Sequence, residues 1–168
     1  MNGLSFTVGS ELYTVDVNLV QKVARKLMIT PVPSAPSEIV GIANLKGRVV
    51  TVLNLCRLLG IDKTDEAARY IHTVVFKSFS SSEDQMGLAI EKPGNLIEID
   101  DADIKPSPLT AGSEGSFCIS GVAETNDMFY RIIDIESIWK KYTHSTDLLS
   151  EITSENPSSG GHNNEQHI

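Results

Sequence analysis

The chain has 168 residues, of which 40% are hydrophobic and 21% charged, and carries a formal net charge of −8 with a pI of about 4.9. That length suits one ordinary domain or two small, closely packed ones. The acidic balance speaks against nucleic acid or an anionic membrane surface as the main partner. Apolar runs such as Val49–Leu53 are far too short to span a bilayer, and Met1–Ser5 lacks a charged leader and an apolar signal core. The expectation is a cytoplasmic protein with no membrane insertion.

In chain order, Phe6–Val8 and Leu12–Val17 alternate around Gly9-Ser10, a hairpin signal. From Val17 the period changes. Val20, Val23, Ala24 and Leu27 follow helical spacing, with Asp16 or Asn18 as N-cap, which predicts a short helix over Val17–Lys26. Thr30-Pro31-Val32-Pro33 forces an extended path after it. Ile39–Asn44 and Arg48–Leu53 read as a strand pair around Leu45-Lys46-Gly47, with Gly47 supplying a positive φ. Asn54 is placed to cap a helix over Leu55–Leu59 that Gly60 ends. Residues 62–69 form a charged connector.

The second half opens with a strand over Tyr70–Phe79, a solvated loop over Ser80–Asp84 and a returning strand over Met86–Ile90. Pro93-Gly94 reads as a break before a short strand Leu96–Ile99, and Asp100–Gly115 reads mostly as loop. Phe117–Ala123 and Met128–Ile133 form a second strand pair. Asp134 then caps a helix with Ile135, Ile138, Trp139 and Tyr142 on one stripe. Residues 1–144 make the folded unit, and residues 145–168, rich in Ser, Asn, Glu and Gly, read as a flexible polar tail.

Residues 41–59 and 121–139 repeat one pattern without a gap, 80 residues apart. Gly41 and Ala43 recur as Gly121 and Ala123. Ile42, Val49, Val52, Leu53, Leu55 and Leu58 recur as Val122, Phe129, Ile132, Ile133, Ile135 and Ile138, and Asn54 recurs as Asp134. A pattern held over this length points to one small β unit used twice. Many short strands separated by turn signals predict a mainly β fold of small barrels, because closure removes exposed edges. The copies differ at one turn: Asn44-Leu45-Lys46-Gly47 faces Glu124-Thr125-Asn126-Asp127.

No catalytic, cofactor-binding or metal-binding constellation emerges. Cys56 and Cys118 sit among apolar neighbours and form no Cys-x-x-Cys pair, and His72, His144, His162 and His167 are scattered. Asp100-Asp101-Ala102-Asp103 lacks the Gly and the terminal Glu of a calcium loop and reads as solvated surface. Gly112-Ser113-Glu114-Gly115-Ser116 is not a nucleophile elbow, and no phosphate-cradling loop occurs. The expectation is a non-enzymatic protein without a cofactor.

Residues 4–142 resemble the CheW family, the adaptor domain of bacterial and archaeal chemosensory arrays. The resemblance runs through Phe6-x-Val8-Gly9-x-Glu11-x-Tyr13, Val20-Gln21 and Pro33-x-x-Pro36. It continues through Gly41-Ile42-Ala43-Asn44-Leu45-Lys46-Gly47-Arg48-Val49-Val50, Leu53-Asn54-Leu55, Met86-Gly87-Leu88-Ala89-Ile90, Gly121-Val122-Ala123 and Ile132-Ile133-Asp134-Ile135. It implies two tandem, closely packed five-stranded SH3-like β-barrels with a few short helices. It also implies a scaffold joining the chemoreceptor cytoplasmic tip to the regulatory domain of the histidine kinase CheA, itself similar to CheW. In family members the receptor tip lies in the groove between the barrels. The bordering residues carry over to Val20, Gln21 and Lys22 on the predicted helix and to Asn44, Leu45, Lys46 and Gly47 on the hairpin. Kinase contacts are expected at the barrel ends, with no residue assigned.

The chain departs from the family pattern at the site itself. Lys46 stands for the motif Arg and Lys22 for a Glu, so a pair of opposite charges becomes two cations. Asn54 replaces an Asp, and Ile90-Glu91-Lys92-Pro93 stands for Val-Asp-x-Val. Each site residue also has a plain structural reading. Asn44 and Gly47 serve the turn, Leu45 either contacts a partner or tucks inward, and Val20 packs on the barrel. Two other functions fit the same fold: an accessory subunit of a motility or pilus cluster that binds receptor but couples poorly to kinase, and a small-ligand-binding barrel. The latter requires a closed apolar pocket with convergent polar groups.

Overall fold

The computed structural model describes residues 1–61, 72–79, 83–108, 112–113 and 115–142. The connector expected at 62–69, part of the loop at 80–84 and the tail at 145–168 lie outside the described residues, wholly or in part.

Strands β1 (Asn2–Val8) and β2 (Glu11–Asp16) form the first hairpin, turning at Gly9 with φ 65°. A 3-10 turn, Val17–Leu19, capped by the Asp16 carboxylate, leads into β3 (Val20–Arg25). Strands β4 (Ile39–Leu45) and β5 (Arg48–Asn54) pair antiparallel, and α1 (Leu55–Leu58) follows under the Asn54 cap. Next come β6 (His72–Phe76), β7 (Gln85–Ile90), β8 (Lys92–Glu98), β9 (Ile104–Pro106), β10 (Ile119–Thr125) and β11 (Met128–Ile133). The closing helix α2 covers residues 135–142, with Asp134 accepting from the Ser137 amide at 3.0 Å.

The two sheets do not correspond to the two halves of the chain. One has the order β3-β6-β7-β5-β4 and the other β8-β1-β2-β11-β10-β9. Each half therefore gives its first hairpin to one sheet and its later strands to the other. The repeat survives in the register. Ile39↔Leu53 and Gly41↔Val52 recur as Ile119↔Ile133 and Gly121↔Ile132, with a bulge at the same place in both ladders. The parallel ladders extend the correspondence: Thr51↔Met86 matches Arg131↔Tyr13.

Each sheet curls until its own chain closes it. After β3 the chain bends round so that Thr30 pairs with Ile42 of β4, and after β8 it bends round so that β9 pairs with β10. The closing segment is a single bridge in one barrel and a short strand in the other, hence five strands against six. Gly41 and Gly121 recur because the closing backbone lies on them. A Cβ at Gly41 would meet the Thr30 carbonyl oxygen at 2.2 Å, and one at Gly121 the Lys105 carbonyl oxygen at 2.8 Å.

Side-chain size sorts the cores. β6 and β7 are buried on both faces. Val74, Phe76, Met86, Leu88 and Ile90 join a large common core with Phe6, Tyr13, Val15, α1 and α2. Small residues such as Ala24, Ala43, Val75 and Ala89 fill the inside of the five-stranded barrel. Ile99, Ala123 and Ile132 fill the other. The shared core makes the two barrels one packed unit.

Four sequence expectations need correction. The helix predicted over Val17–Lys26 is a 3-10 turn followed by β3. Its ladder with β6 runs Val20↔Phe76, Lys22↔Val75, Val23↔Val74, so Gln21 is an extra, bulged residue. That residue shifts the alternation and puts Val20 and Val23, three apart, on one face, which mimics helical spacing. The expected break at Pro93-Gly94 lies inside β8. There the proline sits beside a bulge, and the Ser5 hydroxyl takes over the ladder by exchanging hydrogen bonds with Asn95 N and O, at 2.9 and 2.8 Å. The loop expected over Asp100–Gly115 contains β9. Finally, β10 begins at Ile119, with Phe117 and Cys118 in a 3-10 turn. The strand expected over Tyr70–Phe79 is described as His72–Phe76, its first two residues lying outside the described ones.

Candidate partner-binding site

Asn44, Leu45, Lys46 and Gly47 are held together by the β4–β5 turn. Leu45 faces Arg48 across the ladder, and Lys46 (φ 53°) and Gly47 (φ 84°) make a two-residue loop with both central residues left-handed. The Gly47 amide donates to Asn44 Oδ1 at 2.9 Å, which fixes the tip. Lys46 is exposed at the apex. Leu45 is half-buried against the small core of its barrel, so part of its surface is already used in folding. The counterpart turn places Asn126 (φ 51°) and Asp127 (φ 60°) at the same two positions, residue types that tolerate the left-handed region.

Val20, Gln21 and Lys22 open β3. Val20 is half-buried against the common core. Gln21, Lys22 and Val23 are exposed in succession around the bulge, where the alternation of faces is shifted by one residue. The Gln21 side chain is not free: its Oε1 accepts from Gln85 Nε2. Gln85 was missed in the sequence, where it reads as the polar start of an apolar strand.

The structure groups Asn44–Gly47 with one another and Val20–Lys22 with one another. Among the described residues no hydrogen bond or ion pair joins the two groups, and Val20 and Leu45 pack on different cores. Lys22 and Lys46 have no ion-pair partner among the described residues, so both ammonium groups remain available to an acidic partner.

Elsewhere the described residues carry exposed apolar side chains and two open hollows. Ile42 and Val49 are exposed on one outer face, and at the repeat-related positions Val122 is half-buried while Phe129 is 64% exposed. Phe129 edges a cleft of about 160 Å³ with Asp103, Lys105, Val122 and Glu124. A wider hollow of about 640 Å³ is lined by Glu98, Asp100, Asp101 and Asp103 together with Thr125 and Asn126, a carboxylate-rich wall unlike the apolar pocket a small-ligand barrel needs. Among the described residues no three His, Cys, Asp or Glu side chains are grouped to hold a metal ion. None is in a helix long and apolar enough to cross a membrane.

The perturbed groups belong to the core. Burial pushes the Cys118 thiol and the Tyr142 hydroxyl up to about 12, and it also raises Tyr13, against the opposing pull of Arg131. Cys56 and Cys118 are both buried, and neither is in a disulfide.

Two curled sheets on one shared core, with a hairpin apex and a bulged edge strand turned outward, define an interaction module built from paired barrels. The chain belongs to the CheW-like domain family, whose model matches residues 2–142. It is 24% identical over 137 residues to the chemotaxis protein CheW of Rhizobium meliloti, covering 81% of this chain and 85% of that one. The Helicobacter pylori CheW is 28% identical over 141 residues, covering 82% and 81%. Among solved structures, the scaffolding protein TtCheW from Thermoanaerobacter tengcongensis superposes with a TM-score of 0.70 at 27% identity, covering 79% of this chain and 88% of that one. The barrels are SH3-like, and the protein is a non-enzymatic chemotaxis adaptor.

Proposed function

We propose that this adaptor couples the cytoplasmic tip of a chemoreceptor to the regulatory domain of the histidine kinase CheA. Val20, Gln21, Lys22 and the apex Asn44, Leu45, Lys46 and Gly47 contact the receptor, and the barrel ends contact the kinase. The acting unit is residues 1–144, working in the cytoplasm. The observation that carries the reading is the bulge in β3, which leaves Gln21 and Lys22 exposed in succession at the positions where the family motif falls. Two lysines with no ion-pair partner among the described residues, in an acidic chain, fit a carboxylate-bearing partner, where charge selects the partner and apolar burial supplies affinity.

The test is capture of the purified protein by an isolated receptor tip and by an isolated kinase regulatory domain, in separate experiments. Binding to both supports the reading. Binding to the tip alone replaces it with an accessory receptor-binding role, and binding to neither overturns it.

A further inference from the structure

Strand β7 is otherwise apolar, with Met86, Gly87, Leu88, Ala89 and Ile90 all buried. Gln85 is buried as deeply, at 2% exposure. A primary amide is unfavourable in such a place unless its polar atoms are bonded. Here only one side is served. Nε2 donates to the Phe76 carbonyl oxygen at 3.0 Å and to Gln21 Oε1, while Gln85 Oε1 has no partner among the described residues. The fold itself does not call for a glutamine. The two parallel ladders align Met86 with Tyr13, and hence Gln85 with the apolar Leu12 in the other barrel. That barrel has its own bulge beside Gly94 and pins it with the Ser5 hydroxyl instead.

We propose that Gln85 is a positioning residue of the candidate site. Its backbone lies opposite Val50 of β5, the strand that rises from the Lys46 apex. Its side chain reaches across β6 to Gln21, the bulged residue of β3. One residue thus links Gln21 to the strand that carries the apex, although among the described residues no direct bond joins the two groups of site residues. The tie also sets chemistry. Phe76 O, an acceptor, holds the Gln85 amide with its NH2 toward β3. Gln21 must then present its carbonyl oxygen inward and its NH2 outward. Beside it stands the Lys22 ammonium. Two donors on adjacent residues suit a partner carboxylate or backbone carbonyl, and reject a partner that offers donors.

This inference rests on the receptor-binding reading, so its test has one arm that needs no receptor. In NMR the Gln21 side-chain amide of the full chain is ordered, and it becomes mobile in Gln85→Leu, which installs the residue of the other barrel. A Gln21 amide equally mobile in both proteins overturns the tether. In the second arm, Gln85→Leu and Gln21→Ala each weaken binding of an isolated receptor tip about tenfold, and the double variant loses no more than either. Losses that multiply overturn the action of Gln85 through Gln21, because a merely structural role lowers stability without that coupling. An ordered Gln21 amide in a protein that binds no tip overturns the receptor reading and upholds the tether.

Discussion

The carbonyl oxygen of Thr30 occupies the space a side chain would need at Gly41: a Cβ there would lie 2.2 Å from it. This contact is where the chain following β3 closes the barrel on β4, with Thr30 and Ile42 exchanging backbone hydrogen bonds at 2.8 and 2.9 Å. Gly41→Ala must therefore push the closing segment off β4. We expect a loss of about 3 kcal/mol, read from urea or thermal unfolding. Gly121→Ala, with its 2.8 Å approach to Lys105, loses less. Near-wild-type melting of Gly41→Ala would show that the closure is not tight.

At the apex, folding and binding separate by residue. Lys46 holds a left-handed φ of 53°, which costs a residue with a Cβ about 1 kcal/mol, so Lys46→Gly stabilises by up to roughly that amount. Lys46→Glu keeps the melting temperature nearly unchanged and weakens receptor-tip binding. Asn44→Ala removes the bond to the Gly47 amide and destabilises by about 1 kcal/mol. A large stability loss in Lys46→Glu would make that lysine structural.

Ser5 carries the β8 bulge. Its hydroxyl accepts from Asn95 N and donates to Asn95 O, and it is 6% exposed. Ser5→Ala strips both partners at a buried place, with an expected loss of about 2 kcal/mol in denaturant titration. Faster amide exchange at Asn95 should accompany it. Unchanged exchange would mean that the bulge is held by backbone alone.

Alkaline pH should destabilise the fold. In the unfolded chain Cys118 loses its proton near 9.0 and Tyr142 near 10.0, whereas burial holds both protons to about 12 in the folded state. Between those values the unfolded chain binds fewer protons, so stability is fully present below pH 9 and falls as pH rises toward 12. The melting temperature across this window is the measurement. Cys118→Ala should flatten the part of the fall that begins at 9.0.

Truncation after His144 tests the extent of the acting unit. The shortened chain is expected to melt and to bind the receptor tip as the full chain does. A lowered melting temperature would assign residues 145–168 a share in the fold.

Local chemistry was legible in the sequence wherever neighbours in the chain decide the structure. Gly9-Ser10 turned the first hairpin, Gly47 accepted a positive φ, and Asn54 and Asp134 capped their helices through bonds that span three residues. The 80-residue repeat was legible as well, and it reappears as two ladders with the same register and bulge. The motif positions of the apex followed from the family resemblance. What failed was any feature whose partner lies far along the chain. Pro93-Gly94 read as a break because the Ser5 hydroxyl that rescues that strand is some 90 residues away.

By itself, then, the sequence determined a duplicated β unit, its turns and caps, and the family to which its motifs belong. Only the tertiary structure decided that the two halves exchange hairpins, that Gly41 and Gly121 carry a closing backbone, and that Val20–Lys22 lie on a bulged strand held by Gln85. The physical reason is the same in each case. Turns and caps are fixed by bonds within a few residues, whereas strand pairing, closure and a bulge take their meaning from a partner strand. One extra residue in β3 shifts the alternation, and nothing local distinguishes that shift from a turn of helix.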